Sequence, residues 1–225
     1  MTQVAIKMSA AELVQKIRAG ERDFTGLQLP PDSDLSKAEG YDALLDYLKG
    51  EDLRAAPVLA EGADLRGLKA PRLALSFAKL AGANLKGCNL AGADMRRADF
   101  SNADFSGADL TRAVLIGGRF QGANLSGARM VGIDLYEANI SGADLRGADA
   151  SQGKLLRLAL KEANLEGTIL TGVNFYRADL RGAKGLAGAI DLATAQFHQT
   201  AVTSVELGII QDAIANSSLF DIRTE

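Results

Sequence analysis

The chain has 225 residues, 5% of them aromatic with no Trp, and a formal net charge of −3; it is long enough to bury a substantial core, and its composition suits a narrow interior. The single cysteine, Cys88, excludes an internal disulfide, no run of 18 consecutive apolar residues reads as a membrane span, and no long apolar run follows a basic start. The expectation is a soluble cytoplasmic protein.

From the N-terminus, Ser9 with Glu12 three residues later spells a capping box, and Met8 is placed to pack on Leu13 as a hydrophobic staple. Leu13, Val14 and Ile17 give the helix one apolar side and Gly20 ends it, so residues 1–22 read as a helix covering the open end of a coil that begins at residue 23. Phe24 and Leu29 then open a five-residue rhythm, and Pro30-Pro31 is expected to stop it. Tyr41, Leu44, Leu45 and Leu48 ahead of Gly50 read as a short amphipathic helix. Residues 30–52 are therefore expected to loop out of the first turn as an insertion, a hydrophobic flap on the rod or, as the alternative, a dedicated binding arm, with the rhythm resuming at Leu53 and Val58.

Residues 63–182 keep the rhythm without a gap. Bulky centres fall at every fifth residue from Leu65 to Leu180, and 22 of the 24 are Leu, Phe, Met or Ile; Ala70 and Ala150 are the exceptions. Two residues before the centre stands Ala in 15 blocks, just before it Asp or Asn in 15, and two after it Gly in 14, so both the inward pair and the turn residues recur in phase. A period of five is neither helical nor a simple strand alternation, and a unit that cannot bury its own apolar side must stack on copies of itself. A short extended segment and a turn per block puts the centre and the residue two before it inward, with Asp or Asn bonding the backbone at the corner. Four blocks then make a square turn, and six turns at about 4.8 Å give a rod of roughly 29 Å. Cys88 falls on an inward small-residue position and reads as a buried, inert thiol.

After Leu180 the phase slips by two residues, so that Ala187, Leu192, Phe197 and Val202 take the centre register in one last turn. The coil is thus bounded at 23–202. In 203–225, Thr203 and Glu206 form a second capping box, and Leu207, Ile209, Ile210, Ala213 and Ile214 continue as a helix. Its apolar residues are too many for one stripe; some should cover the end of the coil, while Leu207, Ile210 and Ile214 are the expected contact of a homodimer.

The A(D/N)LXX pattern of residues 63–182 resembles the pentapeptide repeat proteins. The resemblance implies an all-β solenoid, a right-handed quadrilateral β-helix here capped by an N-terminal and a C-terminal α-helix. It also implies a bacterial source and action by binding other proteins rather than by catalysis.

Chemistry is poorly provided for. One histidine, His198, and one cysteine leave no triad and no zinc cluster, no phosphate loop of the G-x-x-x-x-G-K-[ST] type occurs, and the glycines are explained by turns. The expectation is no enzyme activity, no catalytic or metal residues and no cofactor.

Sorting the centres by side isolates a column at Leu75, Met95, Leu115, Leu135, Leu155 and Phe175. The outward residues just after these centres are Ser76, Arg96, Ile116, Tyr136, Leu156 and Tyr176, with His198 added by the shifted last turn. The stripe Ile116, Tyr136, Leu156 and Tyr176, flanked by Arg97, Arg157 and Arg177, has the composition of a protein-binding surface. The resemblance also implies an alternative, since some pentapeptide repeat proteins protect or inhibit DNA gyrase by imitating the shape and charge of DNA. Residues 63–182, however, hold 16 basic and 12 acidic side chains, a balance of +4, whereas residues 1–62 hold 7 and 11, a balance of −4. A DNA imitator should be negative along the rod. The basic residues alternate with acids instead of forming a track, which argues against direct nucleic-acid binding. The predicted partner is a protein whose identity the sequence does not name.

Overall fold

A computed structural model of the chain describes residues 6–215. Each five-residue block makes the same bonds to the blocks 20 residues before and after it. In one of them the Leu85 N–H donates to the Asp104 carbonyl (2.7 Å), the Asp104 N–H to the Ala83 carbonyl (2.9 Å), and the Gly87 N–H to the Ser106 carbonyl (2.9 Å), while Cys88 N–H closes the corner on Leu85 (3.1 Å). Parallel pairings 20 residues apart therefore climb four faces. Face 1 contains Leu59, Lys79 and Asp99, face 2 Asp64, Asn84 and Asp104, face 3 Lys69, Asn89 and Asp109, and face 4 Ala74, Asp94, Val114, Asp134, Lys154 and Asn174.

Asp and Asn recur before the centre because their side chains satisfy the next exposed N–H. Ser106 N–H donates to Asp104 Oδ1 (2.9 Å) and Thr111 N–H to Asp109 Oδ1 (2.9 Å). Centres and small residues fill the lumen together; Leu90, Phe100, Phe105, Leu110, Ala93 and Ala108 are all fully buried. Phe100 meets Phe105 edge-on and Phe120 face to face, both with ring centroids 5.0 Å apart. Burial pushes the Cys88 thiol up to about 12, so it stays protonated.

The N-terminal end departs from the expected insertion. The coil does not stop at Pro30-Pro31: Gln28 pairs with Asp64 and Asp34 with Lys69, so it continues to Leu35. Six residues separate the first pair of anchors where their partners are five apart, which makes the corner one residue wider, with Asp32 at φ 60°. Proline is tolerated there because the N–H after a centre bonds a local side chain and takes no part in the ladder; Pro71 stands at the same position, just after the centre Ala70. Face 4 alone lacks a first-turn segment: among the described residues Ala74 pairs only with Asp94. Helix α2 (Tyr41–Gly50) stands beside that gap, with Tyr41, Leu44, Leu45 and Leu48 buried and the Tyr41 hydroxyl donating to the Pro71 carbonyl at 2.8 Å. Leu53 is buried in the turn after α2 without being a centre. Val58 takes the small inward position and Ala60 the centre, so the regular phase starts one block before Leu65.

Helix α1 (Ala10–Arg18) begins with the expected capping box, Ser9 N–H donating to Glu12 at 2.7 Å and Glu12 N–H to the Ser9 hydroxyl at 3.2 Å. Leu13 and Ile17 line a small apolar cavity of about 40 Å³ together with Phe24, Leu27 and Leu35 at the start of the lumen. A short strand the sequence did not signal, β1 (Ile6–Lys7), pairs in parallel with β2 (Leu27–Gln28).

At the other end the slip of two residues is taken in single steps. Asn164 pairs with Lys184, Ile169 with Ile190 and Asn174 with Gln196, offsets of 20, 21 and 22. Each extra residue is absorbed by a 3₁₀ turn, Leu186–Gly188 and then Leu192–Thr194. Leu186 is accordingly the buried residue there, in place of the expected Ala187.

Helix α3 (Ser204–Ala215) is tied down by Glu206, which is buried. Its carboxylate accepts from Thr203 N–H (2.6 Å), from the Thr203 hydroxyl, and from Gly182 N–H at 2.9 Å. In every inner turn the N–H at the Gly182 position donates to a carbonyl of the next turn, as Gly142 does to Lys161. Glu206 supplies the acceptor where the turns run out.

Phe100→Ala is expected to cost about 3–5 kcal/mol in denaturant unfolding, because a narrow lumen closed by a hydrogen-bonded wall cannot collapse into the cavity. For Glu206, burial opposes ionisation, but the bonds from Thr203 and Gly182 outweigh it and hold the carboxyl below its usual range. The folded-state value is the lower one, so this stabilisation is present above the ordinary glutamate range and is lost as the pH falls through the lower folded-state value. Hydrogen exchange at Gly182 and along α3 should be well protected at pH 7, lose protection on acidification when compared with the intrinsic rate at each pH, and at pH 7 be faster by about tenfold in Glu206→Ala.

Candidate functional site

Corners distinguish the four faces. The residue two after each centre sits in the left-handed region, where glycine is free of strain and other residues are not. On face 2 the six regular corners, from Gly67 to Gly167, are all glycine. On face 4 five of six are not: Phe77 (φ 62°), Arg97 (57°), Glu137 (56°), Arg157 (53°) and Arg177 (56°) interrupt the pattern, leaving only Gly117. Each costs on the order of 1 kcal/mol, and the pairing ladder gains nothing from them.

These strained corners hold their side chains against the expected stripe. Arg157 lies over the Tyr136 ring with its guanidinium 5.7 Å from the centroid, and Arg177 over Tyr176 at 5.1 Å. Arg157 also donates to Glu137 at 2.8 Å, a bond that keeps the Glu137 carboxyl below its usual range. Arg177 Nε donates to Gln199 at 2.6 Å, and Tyr176 stacks on His198 with centroids 5.6 Å apart and planes 8° from parallel.

Ile116, Tyr136, Leu156 and Tyr176 follow one another up the face and are half-buried, shielded by one another and by the arginine stems. Arg97, Arg157 and Arg177 are exposed. The lower part of the column is different in kind. Arg96 grips Asp94 through both carboxylate oxygens (2.5–3.1 Å), and the Ser76 hydroxyl donates to the same Asp94 at 2.9 Å.

Between this lower part and α2 runs an open groove of about 660 Å³, lined by Leu45, Leu48 and Leu53 on one side and by Ala74, Phe77 and Arg97 on the other. Sequence reading missed it. The run of non-glycine corners was visible in the sequence, but only the position of α2 against face 4 turns it into a wall of a groove.

The residues expected to join two copies are placed differently from the expectation. Ile210 and Ile214 are buried within the chain and Leu207 is half-buried, while the exposed apolar residue of α3 is Val205, 68% accessible. Among the described residues no group of three His, Cys, Asp or Glu is placed to hold a metal ion, and no helix is long and apolar enough to cross a membrane.

The family profile of pentapeptide repeats matches eight copies over residues 74–117, 119–155 and 159–184. Among solved structures the chain is similar to HetL, a pentapeptide repeat protein involved in heterocyst differentiation regulation from the cyanobacterium Nostoc sp. strain PCC 7120, at 23% identity over 86% of this chain and 96% of that one, TM-score 0.38. It is also similar to QnrB1, a plasmid-mediated fluoroquinolone resistance protein, at 19% identity over 71% and 91% with TM-score 0.37. A third likeness is to a pentapeptide repeat protein of the Arabidopsis thaliana thylakoid lumen, at 26% identity over 53% and 85% with TM-score 0.36. Comparison with curated proteins returns no match.

Relief of corner strain is measurable. Arg97, at φ 57°, is in no ion pair among the described residues, so Arg97→Gly is expected to raise unfolding stability by about 0.5–1 kcal/mol. A loss of stability would mean that the arginine serves the fold.

Proposed function

The chain belongs to the pentapeptide repeat family, whose fold is the right-handed quadrilateral β-helix, and on that premise we propose that it is a non-enzymatic scaffold or regulator that binds a partner protein through face 4. The observation that supports this most is the exchange of glycine for Phe77, Arg97, Glu137, Arg157 and Arg177 at left-handed corners, against none at the six regular corners of face 2. Strain retained without benefit to the fold points to a surface kept for another purpose. What the strain provides is arginine guanidinium held over tyrosine, a combination enriched at the centres of protein interfaces.

In this reading α1 and α3 act as end caps of the coil, and the protein works in a bacterial cytoplasm. A homodimer through α3 would use the exposed side around Val205 and Leu207 rather than the buried Ile210 and Ile214. The alternative, a DNA-imitating regulator of DNA gyrase, is disfavoured by the +4 balance of residues 63–182.

Affinity capture from the source organism's lysate, with wild type beside a folded Tyr136→Ala/Leu156→Ala/Tyr176→Ala variant, is the test. A partner held by wild type and lost by the variant is the expected result. Equal capture by both removes face 4 as the binding surface, and equal capture of gyrase subunits would make the alternative the leading account.

A further inference from the structure

We infer that the groove between α2 and face 4 takes an acidic peptide segment with an apolar anchor, supplied by the partner protein. The inference rests on the face 4 reading above and adds the chemistry of the partner.

The groove has a floor and a rim of different character. Leu45, Leu48, Leu53 and Ala74 form the apolar floor, and Phe77 is held half-buried at its edge in the left-handed region, an expensive placement for an aromatic residue. Its volume of about 660 Å³ is in the range of sites that enclose a few side chains of a ligand.

Charge decides what the floor receives. The groove is lined by three acids, and each is already engaged. Asp94 is gripped by Arg96, Glu51 pairs with Arg22 at 3.2 Å, and Asp52 accepts the N–H groups of Arg54 and Ala55 at 3.1 and 3.3 Å. Of the five bases that line it, Arg96 is taken up by Asp94 and Lys49 meets Asp46 at 3.1 Å, and the other three are matched less well. Among the described residues Arg54 and Arg97 line the groove without an ion pair, and Arg72 reaches only Asp42, at 3.5 Å with both side chains largely in solvent. Their positive field is therefore left for an incoming group, and an apolar floor beneath it selects a peptide carrying carboxylates beside aliphatic or aromatic side chains.

Both walls are fixed before any partner arrives. The Tyr41 hydroxyl fastens α2 to Pro71, and Arg22 holds its far end through the Tyr47 hydroxyl at 2.9 Å. A preformed groove loses little ordering entropy on binding. Arg97 belongs to both surfaces, so a segment leaving the groove runs onto the Ile116 to Tyr176 stripe.

A displayed library of random 12-residue peptides, selected on the whole wild-type chain, tests this. Enriched peptides should carry a net charge of about −3 or lower together with apolar residues. They should bind at least about tenfold more weakly to a folded Arg54→Glu/Arg97→Glu variant and lose affinity as salt is raised. Enrichment of neutral or basic peptides, unchanged binding to the variant, or no enrichment overturns the inference. So does self-association of the wild type that the same variant abolishes, since a second copy would then be the occupant. The two readings fail separately. Partner capture that needs the tyrosine stripe but ignores Arg54→Glu/Arg97→Glu leaves face 4 standing without the groove, and acidic peptides bound in the groove beside stripe-independent capture do the reverse.

Discussion

Everything in this molecule depends on one hydrogen-bonding constraint: a block of five residues must offer its N–H and C=O groups to the blocks one turn below and above. A coil whose strands are only one pairing long cannot spread errors along a ladder, so every block has to turn a corner at the same place. Both chemical features of the repeat come from that. The corner needs a left-handed residue, and the N–H beside it needs a local acceptor, which Asp or Asn provides at about 3 Å, as Asp104 does for Ser106.

The same constraint tells where the chain has room to vary. Inward positions are fixed by the lumen, and the pairing residues by the ladder. The corner and the residue just before it are the positions free in side chain, the corner only where backbone strain is accepted. Face 2 accepts none at its six regular corners and face 4 accepts it almost throughout, which is why the most conspicuous surface coincides with the least comfortable backbone. The ends of the coil are settled by giving partners to the backbone groups left over there. β1 pairs with the first turn at one end, and at the other Thr194 lends its hydroxyl to Gly172, where a 3₁₀ turn interrupts the last turn, and Glu206 lends its carboxylate to Gly182, where the turns run out.

Much of the architecture is legible from residues. The centres from Leu65 to Leu180, the buried Cys88, the capping box at Ser9, the half of the second one in which Glu206 accepts from Thr203 N–H, and the helix at 41–50 all arise from local rules, and the coil obeys them. The departures have a common origin. Pro30-Pro31 reads as a stop because proline lacks an N–H, yet the first of the two occupies the block position whose N–H neither the ladder nor the corner uses. The slip after Leu180 reads as a single step, whereas 3₁₀ turns divide it. For the candidate site, the stripe and its arginines can be sorted by counting in twenties. Their half-burial cannot, since it arises from arginine stems lying across tyrosine rings, and the groove depends on a helix whose docking no periodicity encodes.

The regular climb of face 4 also sets a length scale that no single residue carries. Tyr136 and Tyr176 are two turns apart, with Leu156 between them. Two turns rise about 9.6 Å, and three residues of a chain in the polyproline II conformation, one turn of it, advance about 9.3 Å. The rod and such a polypeptide laid along its axis are thus nearly commensurate, in the ratio of two turns to three residues. Side chains spaced by three on such a chain share one side of it and would stay in step with the tyrosines over several turns before the small mismatch accumulated. A ruler of this kind discriminates by spacing as well as by chemistry, and inserting or deleting one residue in the bound segment would put every later contact out of step.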